Sequence, residues 1–95
     1  MPITIKIPTP LRKFTAEKDA VQVDAATVGD ALRALDGRHP GLWQKLVDGE
    51  GADAKVKRFI NVYAGEDDIR FLDGLATAVA DGAEIAIIPA IAGGG

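Results

Sequence analysis

The chain is expected to fold as an α+β domain, with one main helix packed across a mixed sheet of about four to five strands. Three observations carry this expectation. Apolar and polar residues alternate near both ends and in the middle of the chain, one apolar series recurs at helical spacing between them, and glycine or proline marks the joints. Ile3-Thr4-Ile5-Lys6-Ile7 alternates with a period of two and reads as a strand with one face buried. Pro8 and Pro10 then remove backbone donors, so a polar loop over 12–19 should lead to a second short strand over 20–23, paired with the first as a hairpin. Residues 24–27 offer capping side chains, and Val28, Ala31, Leu32 and Leu35 predict a helix over 28–36 that Gly37 stops. Leu42, Trp43 and Leu46 add another turn or two within 41–47, before a polar loop over 49–53. The β-branched and aromatic run Phe59-Ile60-Asn61-Val62-Tyr63 predicts a central strand, followed by a turn over 64–68 and a short edge strand over 69–71. Asp81-Gly82 signals a tight turn, and Glu84-Ile85-Ala86-Ile87-Ile88 a final strand stopped by Pro89. A domain over 1–90 and a glycine tail over 91–95 follow.

Composition narrows the function classes. Ninety-five residues, 47% of them apolar, suffice for one modest core and leave no room for a second domain. With 11 basic against 14 acidic residues and a net charge of -3, the chain lacks the basic excess expected of a nucleic-acid binder. No apolar run approaches the roughly 20 residues of a membrane-spanning helix, and the first residues read as a strand, so the expected home is the cytoplasm. The absence of cysteine excludes disulfides, thiolate catalysis and cysteine-ligated metals.

Few side chains suggest chemistry. His39 lies in the turn-rich Gly37-Arg38-His39-Pro40-Gly41 with no second histidine, and Glu66-Asp67-Asp68 lacks the spaced ligands of a cation loop, so no metal site is expected. Trp43 reads as a packing residue, and Lys55, Lys57 and Arg58 as charges guarding a sheet edge. Gly93-Gly94-Gly95 cannot be a phosphate loop, because no helix follows it. A terminal carboxylate behind residues without side chains nevertheless has a use, since such a tail can pass a narrow channel and bring its backbone against a nucleotide. On the residues alone, that use and an inert frayed tail stand level.

An ordered set of motifs separates the two. Ile7-Pro8-Thr9 with Leu11-Arg12, Arg58-Phe59-Ile60-Asn61-Val62-Tyr63, Glu66-Asp67-Asp68-Ile69-Arg70-Phe71, Gly74-Leu75-Ala76-Thr77, Ala80-Asp81-Gly82 and Ile88-Pro89-Ala90-Ile91-Ala92-Gly93-Gly94 run through most of the chain. In this the sequence resembles the ThiS/MoaD family of ubiquitin-like (β-grasp) sulfur carrier proteins, and within it the CysO-like branch. The resemblance implies a β-grasp domain that is no enzyme and binds no cofactor. A ubiquitin-activating-type adenylating enzyme would use MgATP to adenylate its terminal glycine, and sulfur from a donor would displace AMP. The resulting thiocarboxylate would pass sulfur to a sulfur-accepting biosynthetic enzyme, with cysteine biosynthesis favoured over molybdopterin, thiamine or tRNA thiolation. Gly94 and Gly95 would carry the reactive end, led by Ala92 and Gly93, with no catalytic side chain, no membrane and no nucleic acid involved. Two other classes share the terminus: a ubiquitin-like modifier conjugated to target lysines, and an interaction module with an inert tail.

One departure is the third glycine, where relatives of this kind end in two. Either Gly95 is the reactive end or it is trimmed first. Strand alternation also suggests a docking face: with Ile60, Val62, Ile85 and Ile87 inward, Phe59, Asn61, Tyr63, Ile88 and Ala90 face outward. Phe59, Tyr63 and Ile88 are the candidate partner-binding residues.

Overall fold

The computed structural model describes residues 2–49 and 54–89. The opening alternation forms β1 (Ile3–Lys6), with Ile3 and Ile5 buried and Lys6 exposed. It pairs antiparallel with β2 (Ala20–Val23), Ile5 opposite Val21 and Ile3 opposite Val23, as the expected hairpin. The connection is more ordered than the polar loop expected of it. A 3-10 helix spans Thr9–Thr15 with Pro10 in its first turn, where a missing N–H breaks no bond. The next two residues, Ala16 and Glu17, take left-handed φ values of 53° and 67°. The Glu17 N–H donates to the Arg12 carbonyl at 2.7 Å, and the buried Thr15 hydroxyl lies 2.9 Å from the Lys18 carbonyl and 3.2 Å from that of Arg12.

Helix α1 (Val28–Arg38) begins at Thr27, whose Oγ1 accepts the Asp30 N–H at 3.1 Å, and buries Val28, Ala31, Leu32 and Leu35. It runs two residues beyond the expected 28–36. Gly37 stays within the helix, and the left-handed residue that turns the chain is Gly41, at φ 103°. Asp36 Oδ1 accepts the N–H groups of Gly41 and Trp43, both at 3.0 Å, and so joins α1 to α2 (Leu42–Leu46). Leu42 and Leu46 enter the core, while Trp43 is half-buried with the Arg33 guanidinium 4.1 Å from its ring centroid.

The remaining strands are β3 (Val47–Asp48), β4 (Lys55–Val56), β5 (Ile60–Ala64), β6 (Asp67–Asp68) and β7 (Glu84–Pro89). The main sheet has the order β2-β1-β7-β5-β6, and β3 with β4 forms a separate ribbon. β7 runs parallel to β1, with Thr4 opposite Glu84 and Lys6 opposite Ala86, and antiparallel to β5, with Val62 opposite Ile87 and Asn61 opposite Ile88. Ile5, Val21, Val62, Ile85 and Ile87 thereby share a core with Leu32 and Leu35 of the helix. The sheet is mixed, with the main helix on its inner face, as the sequence predicts.

Three expected boundaries need correction. The strand expected over 59–63 begins at Ile60, which leaves Phe59 in the preceding turn, and Pro89 is the last residue of β7 rather than its stop. The edge strand expected over 69–71 is a 3-10 helix, Ile69–Phe71, with the edge strand at Asp67–Asp68 instead. Asp68 Oδ1 accepts the Arg70 N–H at 2.9 Å and caps that turn. A strand would place Ile69 and Phe71 on one face, yet Ile69 is 1% exposed and Phe71 86%. Of the loop expected over 49–53, residues 50–53 lie outside the described residues.

Gly82 holds φ 80° in the turn before β7, and a Cβ added there would meet nothing within 4 Å. Any cost of a side chain at this position is therefore backbone strain, not collision. Gly82→Val should lower the denaturant midpoint by an equivalent of about 1–3 kcal/mol at unchanged slope. An unchanged midpoint in urea melts would contradict the positive-φ turn.

Candidate functional site

The site is built where β7 leaves the sheet. Pro89 pairs with Ile60, and the residues beyond it, including the predicted tail Ala92, Gly93, Gly94 and Gly95, lie outside the described residues. What the structure gives is the root of that tail. The strand carrying it is held on both edges, by β1 on one side and β5 on the other.

The outer face at the root follows from alternation. Ile60, Val62, Ile85 and Ile87 are buried, while Ile88 stands 47% exposed and Phe59 55%. Asn61 lies opposite Ile88, so Phe59 and Ile88 flank the same end of the sheet. Tyr63 is half-buried and paired with Ala86 and Asp68. It stands two residues beyond Asn61, about 6.6 Å further from the root at the usual strand rise. The structure thus places Phe59 and Ile88 at the same end of the sheet, at the root, and Tyr63 further from it.

Arg70 was not singled out by its sequence context, yet it organises this end. One Nη donates to Asn61 Oδ1 at 2.9 Å, and the other lies 3.2, 3.0 and 2.7 Å from the carbonyls of Lys57, Arg58 and Ile60. The guanidinium therefore clasps the turn that presents Phe59 to the strand beside β7. A planar fork with several donors suits this task in a way that a lysine would not. The only signal in the sequence is Asp68 two residues earlier, whose carboxylate fixes the Arg70 backbone. Lys57, expected to guard an edge, instead donates to Asp48 Oδ1 at 2.6 Å. Phe71 and Leu72, which follow Arg70 in the chain, are also exposed.

On the other side of β7 a shallow groove runs between β1 and the 3-10 helix, lined by Lys6, Ile7, Arg12, Ala86, Ile88 and Pro89. Arg12 is half-buried there and its Nε donates to the Ile7 carbonyl at 3.1 Å. His39 caps the end of α1, its backbone N–H donating to Leu35 at 2.8 Å. Glu66, in the β5–β6 turn, and Asp67, the first residue of β6, are exposed at the opposite end of the sheet. Among the described residues, no group of three or more histidine or acidic side chains could hold a metal ion, and no helix is long and apolar enough to cross a membrane.

Residues 5–94 match the ThiS family. The chain is 39% identical over 94 residues to the sulfur carrier protein CysO of Mycobacterium tuberculosis, covering 99% of this chain and 100% of that one. Its fold matches the CysO-containing crystal structure of the Amycolatopsis orientalis BexX/CysO complex with a TM-score of 0.89 at 41% identity, over 96% of this chain and 98% of that one. It is also 41% identical over 71 residues to small archaeal modifier protein 3 of Haloferax volcanii, covering 75% of this chain and 73% of that one. The mixed sheet with its last strand central and a helix across it is the ubiquitin-like β-grasp fold, and the chain belongs to the ThiS family.

Proposed function

We propose that this protein is a sulfur carrier and not an enzyme, with a β-grasp domain over 1–90 that presents a tail over 91–95 whose terminal glycine is the working group. The observation that carries the reading is the end-to-end similarity to the sulfur carrier protein CysO. Three glycines at positions 93–95, a few residues after a strand anchored on both edges, support it.

A carboxylate is a poor electrophile, so it is activated first. A terminal carboxylate oxygen attacks the α-phosphorus of ATP on a ubiquitin-activating-type enzyme, which releases pyrophosphate and leaves an acyl adenylate. A sulfide-level sulfur then attacks the acyl carbon and expels AMP, which leaves a thiocarboxylate. The sulfur of that anion attacks an activated acceptor and expels the acceptor's leaving group. Hydrolysis of the resulting thioester leaves sulfur on the acceptor and restores the terminal carboxylate. A serine derivative on the route to cysteine is the acceptor favoured by the CysO-like similarity. The domain supplies recognition and the tail supplies the reacting atoms. A second reading, conjugation of the same activated terminus to lysines of other proteins, is favoured by the similarity to the small archaeal modifier.

Removing Gly94 and Gly95 should leave the melting temperature within a few degrees and abolish ATP-dependent loading, since these residues lie beyond the last paired strand. Loading that persists in intact-mass spectra would overturn the reading. Tail length gives a finer test, because one residue adds about 3.3–3.6 Å to an extended path, and a misplacement near 1 Å can cost on the order of a hundredfold in rate. The chain ending at Gly94 should load faster than the chain ending at Gly95, and equal rates would show that the third glycine does not shift the reacting carboxylate.

The exposed pair at the root gives a further expectation. Phe59→Ser with Ile88→Thr should raise the carrier's KM for the activating enzyme by roughly tenfold or more while leaving kcat and the thermal melt nearly unchanged. An unaltered KM would remove these side chains from the interface.

A further inference from the structure

Charge is sorted along the strands. At the end of the sheet away from the tail lie Asp24 after β2, Asp30 in the first turn of α1, Glu66 in the β5–β6 turn, Asp67 opening β6, and Glu84 opening β7. The tail-root end is basic, although the chain carries a net charge of -3. Lys6 and Arg12 line the groove beside Ile88 and Pro89. Lys13 and Lys45 place their ammonium groups 5.4 and 5.6 Å from the centroid of the Phe14 ring, on the 3-10 helix that follows β1. Acidic groups accompany them there, Glu17 and Asp19 in the same connection with Lys18 between them, and Asp48, which is ion-paired with Lys57.

Arg12 is the built feature within the patch. Its Nε is tied to the Ile7 carbonyl, and its backbone carbonyl is held by the Glu17 N–H, 2.7 Å away, with the Thr15 hydroxyl 3.2 Å from it. Among the described residues its Nη groups have no hydrogen-bond partner. A guanidinium fixed through Nε on a groove wall keeps a pair of N–H donors in the spacing of a carboxylate, and its side-chain freedom is already restricted.

We propose that Arg12 receives a carboxylate side chain on the protein that takes up the C-terminal tail, with Lys6, Lys13 and Lys45 supplying the field that turns the carrier tail-first toward that acidic surface. The inference deepens the sulfur-carrier reading and rests on it. An overall anionic protein whose own terminus is a carboxylate would be repelled by an acidic partner if its charge were evenly spread. Sorting the cations to the root gives attraction at the one end that must dock. The occupant is the partner's carboxylate and not the chain's own, because a terminus held at Arg12 would be withheld from the nucleotide it must reach.

The test follows ATP-dependent pyrophosphate release with the full-length carrier and the ubiquitin-activating-type enzyme of the same cell, at about 20 and 300 mM salt, a range over which exposed charges pass from weakly to strongly screened. The unaltered chain should show a KM that rises with salt. Arg12→Lys, which keeps the charge and loses the fork, should raise KM about tenfold with kcat unchanged and the salt dependence retained. Lys13→Glu with Lys45→Glu should flatten the salt dependence, and Glu66→Lys with Asp67→Lys, at the far end, should leave KM as it was. A thermal melt checks each variant. If Arg12→Lys proves unstable, the salt dependence of the Lys13 and Lys45 pair decides. An Arg12→Lys chain that folds and keeps its KM overturns the proposal, as does one with a lowered KM, which would mean that Arg12 restrains the chain's own tail. Absence of pyrophosphate release with the unaltered chain counts against the sulfur-carrier reading itself, whereas release with insensitive variants counts against this inference alone.

Discussion

The pairing of β7 along both its edges is the interaction on which the rest of the structure depends. The last strand in sequence is the middle strand in space, parallel to β1 and antiparallel to β5. Ile85 and Ile87 point from it into the core against the helix, so the strand carries side-chain packing as well as two hydrogen-bonded ladders. Its partners β1 and β5 lie far away in the chain, so the sheet closes only after most of the sequence has been placed, at the loop-closure cost that such contacts carry. The consequence for function is positional. The chain leaves the domain from its most constrained strand, and whatever follows Pro89 starts from a fixed point and direction.

That fixed point organises the surface around it. Arg70 holds the turn that carries Phe59, and Arg12 is held by the strand and connection on the other side of the tail root. Two guanidinium groups on opposite flanks of one strand end thus have different duties. Arg70 spends its donors on three backbone carbonyls and Asn61 and shapes the chain, while Arg12 ties its Nε to the Ile7 carbonyl and lines the groove. The exposed Phe59 and Ile88 lie between these flanks, and buried apolar area together with oriented charge is the usual composition of a specific protein interface. On the proposed sulfur-carrier reading such a surface matters because the rate of loading depends on how well a partner's catalytic groups find the terminus.

Much of this was legible in the sequence because it rests on periodicity. The hairpin of β1 and β2, the face of α1 and the in-out alternation of β5 and β7 all follow from where Ile, Val and Leu recur. What was not legible rests on single hydrogen bonds between residues of unrelated type. The 3-10 helix Ile69–Phe71 depends on the Asp68 carboxylate as a cap, and the extension of α1 through Gly37 on the Asp36 carboxylate and Gly41 making the turn later. Arg12 and Arg70 look like any surface arginines until their carbonyl partners are placed. The parallel pairing of first and last strands is equally silent, because alternation specifies a buried face and not a neighbour.

The central claim is that the terminal glycine carboxylate of this protein carries sulfur. The measurement that tests it most directly is the intact mass of the chain recovered from its native cell and treated with an alkylating reagent that traps thiocarboxylates. A fraction heavier by the exchange of one oxygen for one sulfur, converted by the reagent to the corresponding adduct and located by fragmentation at the last glycine, is the predicted result. A chain recovered only with a free carboxylate while the pathway is active, or only as conjugates through that carboxylate to lysines of other proteins, would contradict it.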